Sequence, residues 1–300
     1  MVEKKMDVYI YNRETKSLYQ EKQFKERQLK FLYDTVLGRI ILRLFIAGKW
    51  YSRYNAKKNG LRKSVARIQP FIEEYGIDMT QYQKKEYKSF NDFFIRTIIP
   101  EKRPIPKDEN VLISVADSKL MYYKIEKDIG IKIKNSIYTV EELLHDWELA
   151  GEYRGGTCLV FRLTVDDYHH YCYCDDGKLL YSKKISGRLH TVGPISAKKY
   201  RVYCENSREY SVLETMHFGK VVQMEVGALL VGKIVNNLKE AFKKGEEKGW
   251  FEMGGSTIVL LFRENTVTID EDIVSNSAKG IETKVKYGER IGEKIGERKC

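Results

Sequence analysis

The chain has no apolar run near the roughly 20 residues that a bilayer-spanning helix needs. Its first residues, Met1-Val2-Glu3-Lys4-Lys5, lack the apolar stretch of a signal peptide. Together these absences predict a cytoplasmic protein, either free or held at a membrane surface. The five cysteines, Cys158, Cys172, Cys174, Cys204 and Cys300, form no Cys-x-x-Cys pair and no regular framework. That pattern excludes a disulfide scaffold and the usual zinc spacings and fits a reducing environment. Cys172 and Cys174 lie two apart, so on a strand both thiols face one side. A metal pair is one reading of them; two small buried side chains is the expected one, and no metal is assigned. No internal repeat or long low-complexity tract interrupts the chain.

Acidic residues are missing from one long stretch. Between Arg39 and Arg67 there are nine Lys or Arg and no Asp or Glu, interleaved with Phe45, Trp50, Tyr51 and Tyr54. Just before and within it, Leu32, Val36, Ile40 and Leu44 stack on one helical face, widened by Leu37, Ile41 and Phe45. A basic amphipathic helix with interfacial aromatics suits an anionic membrane surface. A solvated basic face and a nucleic-acid site are the other readings of the same residues. The formal charge of +11 asks for an anionic partner without choosing among them.

Three hundred residues, 42% of them apolar, suffice for one large or two modest domains. Val8 to Tyr11 and Leu18-Tyr19 around a polar turn predict a hairpin, and Ser89 predicts an N-cap for a helix through Arg96. After Arg103-Pro104-Ile105-Pro106 short β-branched and aromatic runs dominate: 111–115, 119–125, 157–165, 179–185, 221–226 and 229–235. Helices are expected at 140–148 and 238–244, and the end from Lys284 to Cys300 is expected to fray. The predicted class is α+β, with a helical basic part over 1–75 and a mainly antiparallel β catalytic core over 76–300.

The chemistry centres on Met253-Gly254-Gly255-Ser256-Thr257, followed by Ile258-Val259-Leu260-Leu261-Phe262. Two glycines permit a tight turn, and the β-branched run behind them reads as a buried strand. Ser256 then stands at the entrance to a rigid element, where its Oγ can reach the carbonyl of Gly255 if a base takes its proton. A plain glycine turn into a core strand explains the same five residues. The esterase elbow Gly-x-Ser-x-Gly is absent, because Ile258 takes the place of its last glycine. Of five histidines, two adjoin in Asp166-Asp167-Tyr168-His169-His170-Tyr171-Cys172. On a strand His169 and His170 face opposite ways, so one of them at most serves a given pocket. Asp117, in Ser114-Val115-Ala116-Asp117-Ser118, stands where a strand opens into a turn. It is either turn chemistry or the carboxylate that orients an imidazole.

These segments, in this order, resemble the phosphatidylserine decarboxylases, pyruvoyl enzymes that cleave themselves. The likeness runs from about Ser89 to Gly292. It rests on Gly254-Gly255-Ser256-Thr257, Asp167-Tyr168-His169 and Ala116-Asp117, with Phe218-Gly219, Val226-Gly227-Ala228, Val231-Gly232 and Lys244-Gly245-Glu246 in support. The resemblance implies that His169 is the base and Asp117 its partner. It further implies that Ser256 attacks Gly255, leaving a β chain of residues 1–255 and an α chain of residues 256–300 whose first residue is a pyruvoyl group. That group would take the amine of phosphatidylserine as a Schiff base and release CO₂ and phosphatidylethanolamine. Tyr168, His170 and Cys172 are implied as residues at or behind the substrate. Two positions depart from the family pattern. Cys172 stands where many members carry a second histidine, so that residue's role does not transfer, and Ser118 replaces a frequent glycine. An anionic lipid substrate selects the membrane-surface reading of the basic helix over nucleic acid and places the enzyme on the cytoplasmic face as a peripheral protein. A homodimer of αβ units is compatible with the resemblance. The competing classes are a lipid-ester serine hydrolase with intact Ser256 and a non-enzymatic basic membrane-binding module.

Overall fold

A computed structural model describes residues 8–21, 26–128, 130–133, 136–191, 196, 200–229, 233–252 and 256–296. The chain opens with a hairpin, β1 (Tyr9–Asn12) and β2 (Ser17–Gln20). Helices α1 (Glu26–Asp34), α2 (Val36–Ile41), α3 (Lys49–Asn59) and α4 (Ile68–Tyr75) follow, with a π-turn at Leu42–Ile46 and a 3-10 turn at Arg62–Arg67. Next comes α5 (Phe90–Phe94), where Ser89 is the cap: its hydroxyl accepts from the Asp92 N–H at 3.1 Å. The strand-rich part holds β3 (Val111–Ile113), β4 (Ser118–Lys124), β5 (Gly130–Ile133), β6 (Ser136–Thr139), α6 (Val140–Leu144), α7 (Trp147–Gly151), β7 (Thr157–Leu163), β8 (His170–Cys172) and β9 (Gly177–Ile185). It continues through α8 (Val202–Glu205), β10 (Arg208–Thr215), β11 (Gly219–Val226), β12 (Lys233–Asn236), β13 (Ala241–Phe242), β14 (Glu247–Glu252) and β15 (Ser256–Phe262). The last elements are β16 (Val267–Ile269), α9 (Glu271–Ala278), β17 (Glu282–Val285) and β18 (Arg290–Lys294).

Ten strands form one sheet in the order β13-β9-β10-β11-β15-β7-β4-β17-β1-β2, antiparallel at every junction except β1–β17. Smaller sheets β12-β14-β8 and β16-β18-β3 accompany it. The class is α+β and mainly antiparallel, as the pattern of short strands predicts. Every residue of β7 and β15 is buried. Alternation sends Ile258, Leu260 and Phe262 into one apolar cluster and Val259 and Leu261 into another on the opposite face. A strand covered on both faces reads as an unbroken apolar run, which is why 258–262 could be recognised.

Several expectations are corrected. The hairpin joins the large sheet through Ile10↔Glu282, so residues 9–20 belong to the core sheet and not to the helical segment of the expected 1–75 division. The single helix expected through Leu32, Val36, Ile40 and Leu44 is broken at Thr35, whose hydroxyl accepts from Gly38 N–H at 2.9 Å and starts a new helix. The 140–148 helix is split where His145 turns left-handed, φ 51°, and Asp146 caps the next one. Residues 238–244 are not helical but carry β13 and a turn at Gly245, φ 75°. The end expected to fray contributes β17 and β18, both hydrogen-bonded on two sides. Among the described residues no helix is long and apolar enough to cross a membrane.

Candidate active site

Ser256 is the first residue of β15 and pairs with Leu163 of β7, while Thr257 is flanked by Arg162 and Val226. Its side chain shares a face with Ile258 and points toward the layer that holds the β12-β14-β8 sheet. The hydroxyl is fully buried and meets no acceptor or donor among the described residues. An unpaired buried hydroxyl costs about 1–3 kcal/mol, so this atom needs an explanation outside stability. Met253, Gly254 and Gly255, the other half of the expected cleavage site, lie outside the described residues.

His169 stands just ahead of β8, and its carbonyl accepts from the Phe251 N–H of β14 at 3.0 Å. Two strands of the small sheet therefore bring His169 alongside the chain that leads into Ser256. The imidazole is fully buried, packs on Phe94 at 4.2 Å between ring centroids, and has Nδ1 2.9 Å from the Asp167 carbonyl oxygen. A carbonyl can only accept, so Nδ1 carries the hydrogen and Nε2 is the basic nitrogen.

The turn that presents His169 is built by Asp167. Its carboxylate accepts from Thr164 N–H at 2.7 Å and from the Lys119 ammonium at 2.7 and 2.8 Å. Burial drives the Asp167 carboxyl up to about 6 against the pull of Lys119. Burial opposes the Lys119 ammonium most strongly, but the charges of Asp167, Asp166 and Glu21 together outweigh it and hold its pKa above the ordinary lysine value. The neighbouring carboxylate thus orients the base through its backbone carbonyl, with its side chain spent on the turn.

Asp117 does not take the place expected of it beside the imidazole. Arg103 grips it with Nε on Oδ1 at 2.8 Å and Nη2 on Oδ2 at 2.5 Å, and Tyr287 N–H adds a third bond to Oδ1 at 2.7 Å. A bidentate arginine is the stronger claim on a buried carboxylate, and nothing local in the sequence singles out Arg103 from the other cations. Asp117 still borders the site, because Val115 O accepts from the Cys172 N–H of β8 at 2.9 Å.

His170 faces away from His169, as strand alternation predicts. Nδ1 lies 2.6 Å from Glu247 Oε2 and Nε2 lies 3.2 Å from Ile95 O. The ring is stacked between Tyr168, at 4.8 Å and 6° between planes, and Trp250, at 5.6 Å. Cys172 shares that side of β8, and burial pushes its thiol up to about 12, so it stays a neutral, packed side chain. The family histidine it replaces has no counterpart here. Lys119, Arg103, Phe94 and Arg96 escaped the sequence reading. The last two sit in a segment readable only as a capped helix.

A buried nucleophilic hydroxyl at the head of a core strand, with a histidine of defined tautomer on the adjoining sheet, marks a protein whose reactive centre is built inside its fold. Residues 90–293 match the family model described as phosphatidylserine decarboxylase. A phosphatidylserine decarboxylase proenzyme 2 of Clostridium acetobutylicum is 61% identical over 288 residues, covering 96% of this chain and 99% of that protein. Proenzymes of the same description from Clostridium perfringens and Fusobacterium nucleatum are 41% and 39% identical, each covering at least 95% of both chains. The chain belongs to the phosphatidylserine decarboxylase family, whose members are carboxy-lyases. The serine-hydrolase and non-enzymatic readings find no support in these relatives.

Proposed function

We propose that this chain is a precursor that cuts itself between Gly255 and Ser256 and then decarboxylates phosphatidylserine to phosphatidylethanolamine and CO₂ at residue 256. The family membership supports the reaction. The observation that carries the site is the Ser256 hydroxyl, fully buried at the head of a central strand with no partner among the described residues. In the precursor His169 Nε2 takes the Ser256 proton as Oγ attacks the Gly255 carbonyl, and the peptide bond becomes an ester. Loss of the Cα proton of residue 256 expels Gly255 as a carboxylate and leaves a dehydroalanine. Water then replaces its nitrogen, ammonia departs, and a pyruvoyl group remains.

That orphaned, enclosed position fits such a group, which would supply a carbonyl to condense with the substrate amine and take up the electrons freed as CO₂ leaves. Leu163, Ala228, Phe251 and Ile258 form the apolar wall on that face of the sheet and exclude water. A dry wall favours conversion of a charged carboxylate into neutral CO₂. His169 Nε2 is the proposed proton carrier, with Asp117 acting from behind through the Arg103 pair and the 114–117 segment. Tyr168, His170 and Cys172 line the far side of β8 and support it.

The N-terminal helices offer the proposed membrane surface. Val36, Leu37, Leu44 and Trp50 are each 60% exposed or more, amid the basic stretch 39–67, whereas Tyr33 and Leu42 turn inward onto Leu229. Exposed apolar side chains among lysines and arginines suit the headgroup region of an anionic bilayer on the cytoplasmic face.

Intact mass tests the central claim. Wild-type chain is expected as two pieces, residues 1–255 and 256–300, the smaller with a pyruvoyl start, and Ser256→Ala is expected to stay whole and inactive. A full-length wild-type chain that decarboxylates phosphatidylserine would end the proposal. Cosedimentation with phosphatidylserine-containing vesicles should fall with added salt and with neutral lipid; binding indifferent to both would remove the surface claim.

A further inference from the structure

We infer that Arg96 is a positioning residue for His169: it fixes the Asp167 carbonyl that sets the His169 tautomer, and its charge favours the neutral ring. The inference rests on the reading of His169 as the base. Arg96 is 1% exposed, and its Nη2 donates to Asp166 O at 2.9 Å, to Asp167 O at 3.3 Å and to Tyr82 Oη at 3.2 Å. The guanidinium lies between two rings, 4.4 Å from the Tyr82 centroid and 5.0 Å from that of Phe93. Nε and Nη1 meet no acceptor among the described residues.

A buried cation normally finds a carboxylate, as Arg103, Lys119, Arg162 and Lys248 do here. Arg208 ends on carbonyls instead, but those carbonyls close α6 and α8, where a cation is favoured. Arg96 follows the C-cap of α5, yet its guanidinium donates to the 166–167 turn and to Tyr82 rather than to helix carbonyls. Ring faces offset part of its desolvation, and what it holds is the oxygen that also receives His169 Nδ1–H. The same short segment brings Phe94 against the imidazole face. Residues 94–96 therefore hold the ring by its face and, through one carbonyl, by its edge.

The charge has a second effect. The charged groups on elements packed against His169 are Asp166 and Asp167 from its own turn, Lys119 and Lys124 from β4, Glu247, Lys248 and Glu252 from β14, Asp92 from α5, His170 beside it, and Arg96. Lys119 is paired with Asp167, Lys248 with Glu225 and Asp92 with Lys85, while Glu247 Oε2 lies 2.6 Å from His170 Nδ1. Among the described residues Arg96 is the cation that shares an acceptor with the imidazole, and a cation one oxygen away disfavours the imidazolium. A base that must accept the Ser256 proton works only when neutral.

The test follows His169 by NMR in the full-length Ser256→Ala chain, which does not depend on cleavage. Arg96→Gln keeps donors without charge and is expected to raise the His169 titration midpoint by roughly one pH unit. Arg96→Lys keeps the charge and should leave the midpoint in place. In the cleavable chain, made by cell-free synthesis and shifted to a series of pH values, the acid limb of self-cleavage should move upward in Arg96→Gln and not in Arg96→Lys. A midpoint unmoved in Arg96→Gln, or moved equally in both variants, overturns the inference. A wild-type chain that never cleaves removes the function proposed above while leaving the NMR result to decide this one.

Discussion

Lys248 and Glu225 are both wholly buried, with the ammonium 2.9 Å from each carboxylate oxygen and 2.9 Å from Asn236 Oδ1. Glu225 lies opposite Ile258 and so on the Ser256 face of the sheet, while Lys248 sits at the irregularity in β14, so this pair ties the small sheet to the large one. Removing one member strands the other: Lys248→Met is expected to cost about 3–5 kcal/mol. Burial already holds the Glu225 carboxyl above the ordinary glutamate value, so without Lys248 it takes up a proton more readily, and the deficit should be smaller at pH 5.5 than at pH 8. The double change Glu225→Leu with Lys248→Met removes both desolvation costs, a gain of about 1–4 kcal/mol in comparable pairs. Against it stands Asn236, which loses two partners and keeps Glu209 and Tyr171, a penalty of about 1–3 kcal/mol. The double variant should therefore lie near the parent. Urea unfolding of the Ser256→Ala chain, which remains one polypeptide, supplies the midpoints. A single variant within about 1 kcal/mol of the parent, or a double variant as weak as the single, would refute the reasoning.

Asp117→Asn should slow self-cleavage and destabilise by about 2–4 kcal/mol, because it leaves the Arg103 guanidinium buried without its carboxylate. If Arg103→Met added to Asp117→Asn restores stability but not cleavage on a gel, the carboxylate serves the chemistry; recovery of both assigns it to the scaffold. His190 is 1% exposed and stacked on Tyr200 at 4.2 Å, and burial depresses its pKa despite Glu205. The unfolded chain then binds a proton that the folded chain resists, so this contribution to stability is complete above about pH 6.5 and is lost as pH falls below it. The thermal unfolding midpoint should fall on acidification across that window, and His190→Phe should flatten the trend; an unchanged slope would contradict it.

What the chain discloses by itself follows the range of the interactions. The Ser89 cap, the hairpin near the start and the strand after Ser256 rest on neighbours within a few residues, and all are present. Residues 284–296 read as a loose charged tail because their reasons are remote: Lys284 and Val285 pair with Lys119 and Ser118 of β4, and β18 closes onto β3. Residues 238–244 mislead because Leu238 and Phe242 stand four apart as on a helix, whereas Phe242 stacks on Tyr173 at 3.8 Å from a two-residue strand. At the site, Ser256 and His169 announce themselves by type and setting. Asp117 was legible as a residue but not by its partner, since choosing between an imidazole and a guanidinium requires the fold that brings Arg103 in.

β15 occupies the middle of the ten-stranded sheet, and the segment after it supplies β17 between β4 and β1 and β18 between β16 and β3. A break before Ser256 would therefore divide the covalent chain without dividing the body. The shorter piece is threaded through the longer one, and neither could leave without dismantling the sheet. Such a protein must finish folding before it is cut, since the severed strands would have to find a central slot from solution. Its maturation is then a one-way step, in which a single molecule becomes two that share one core.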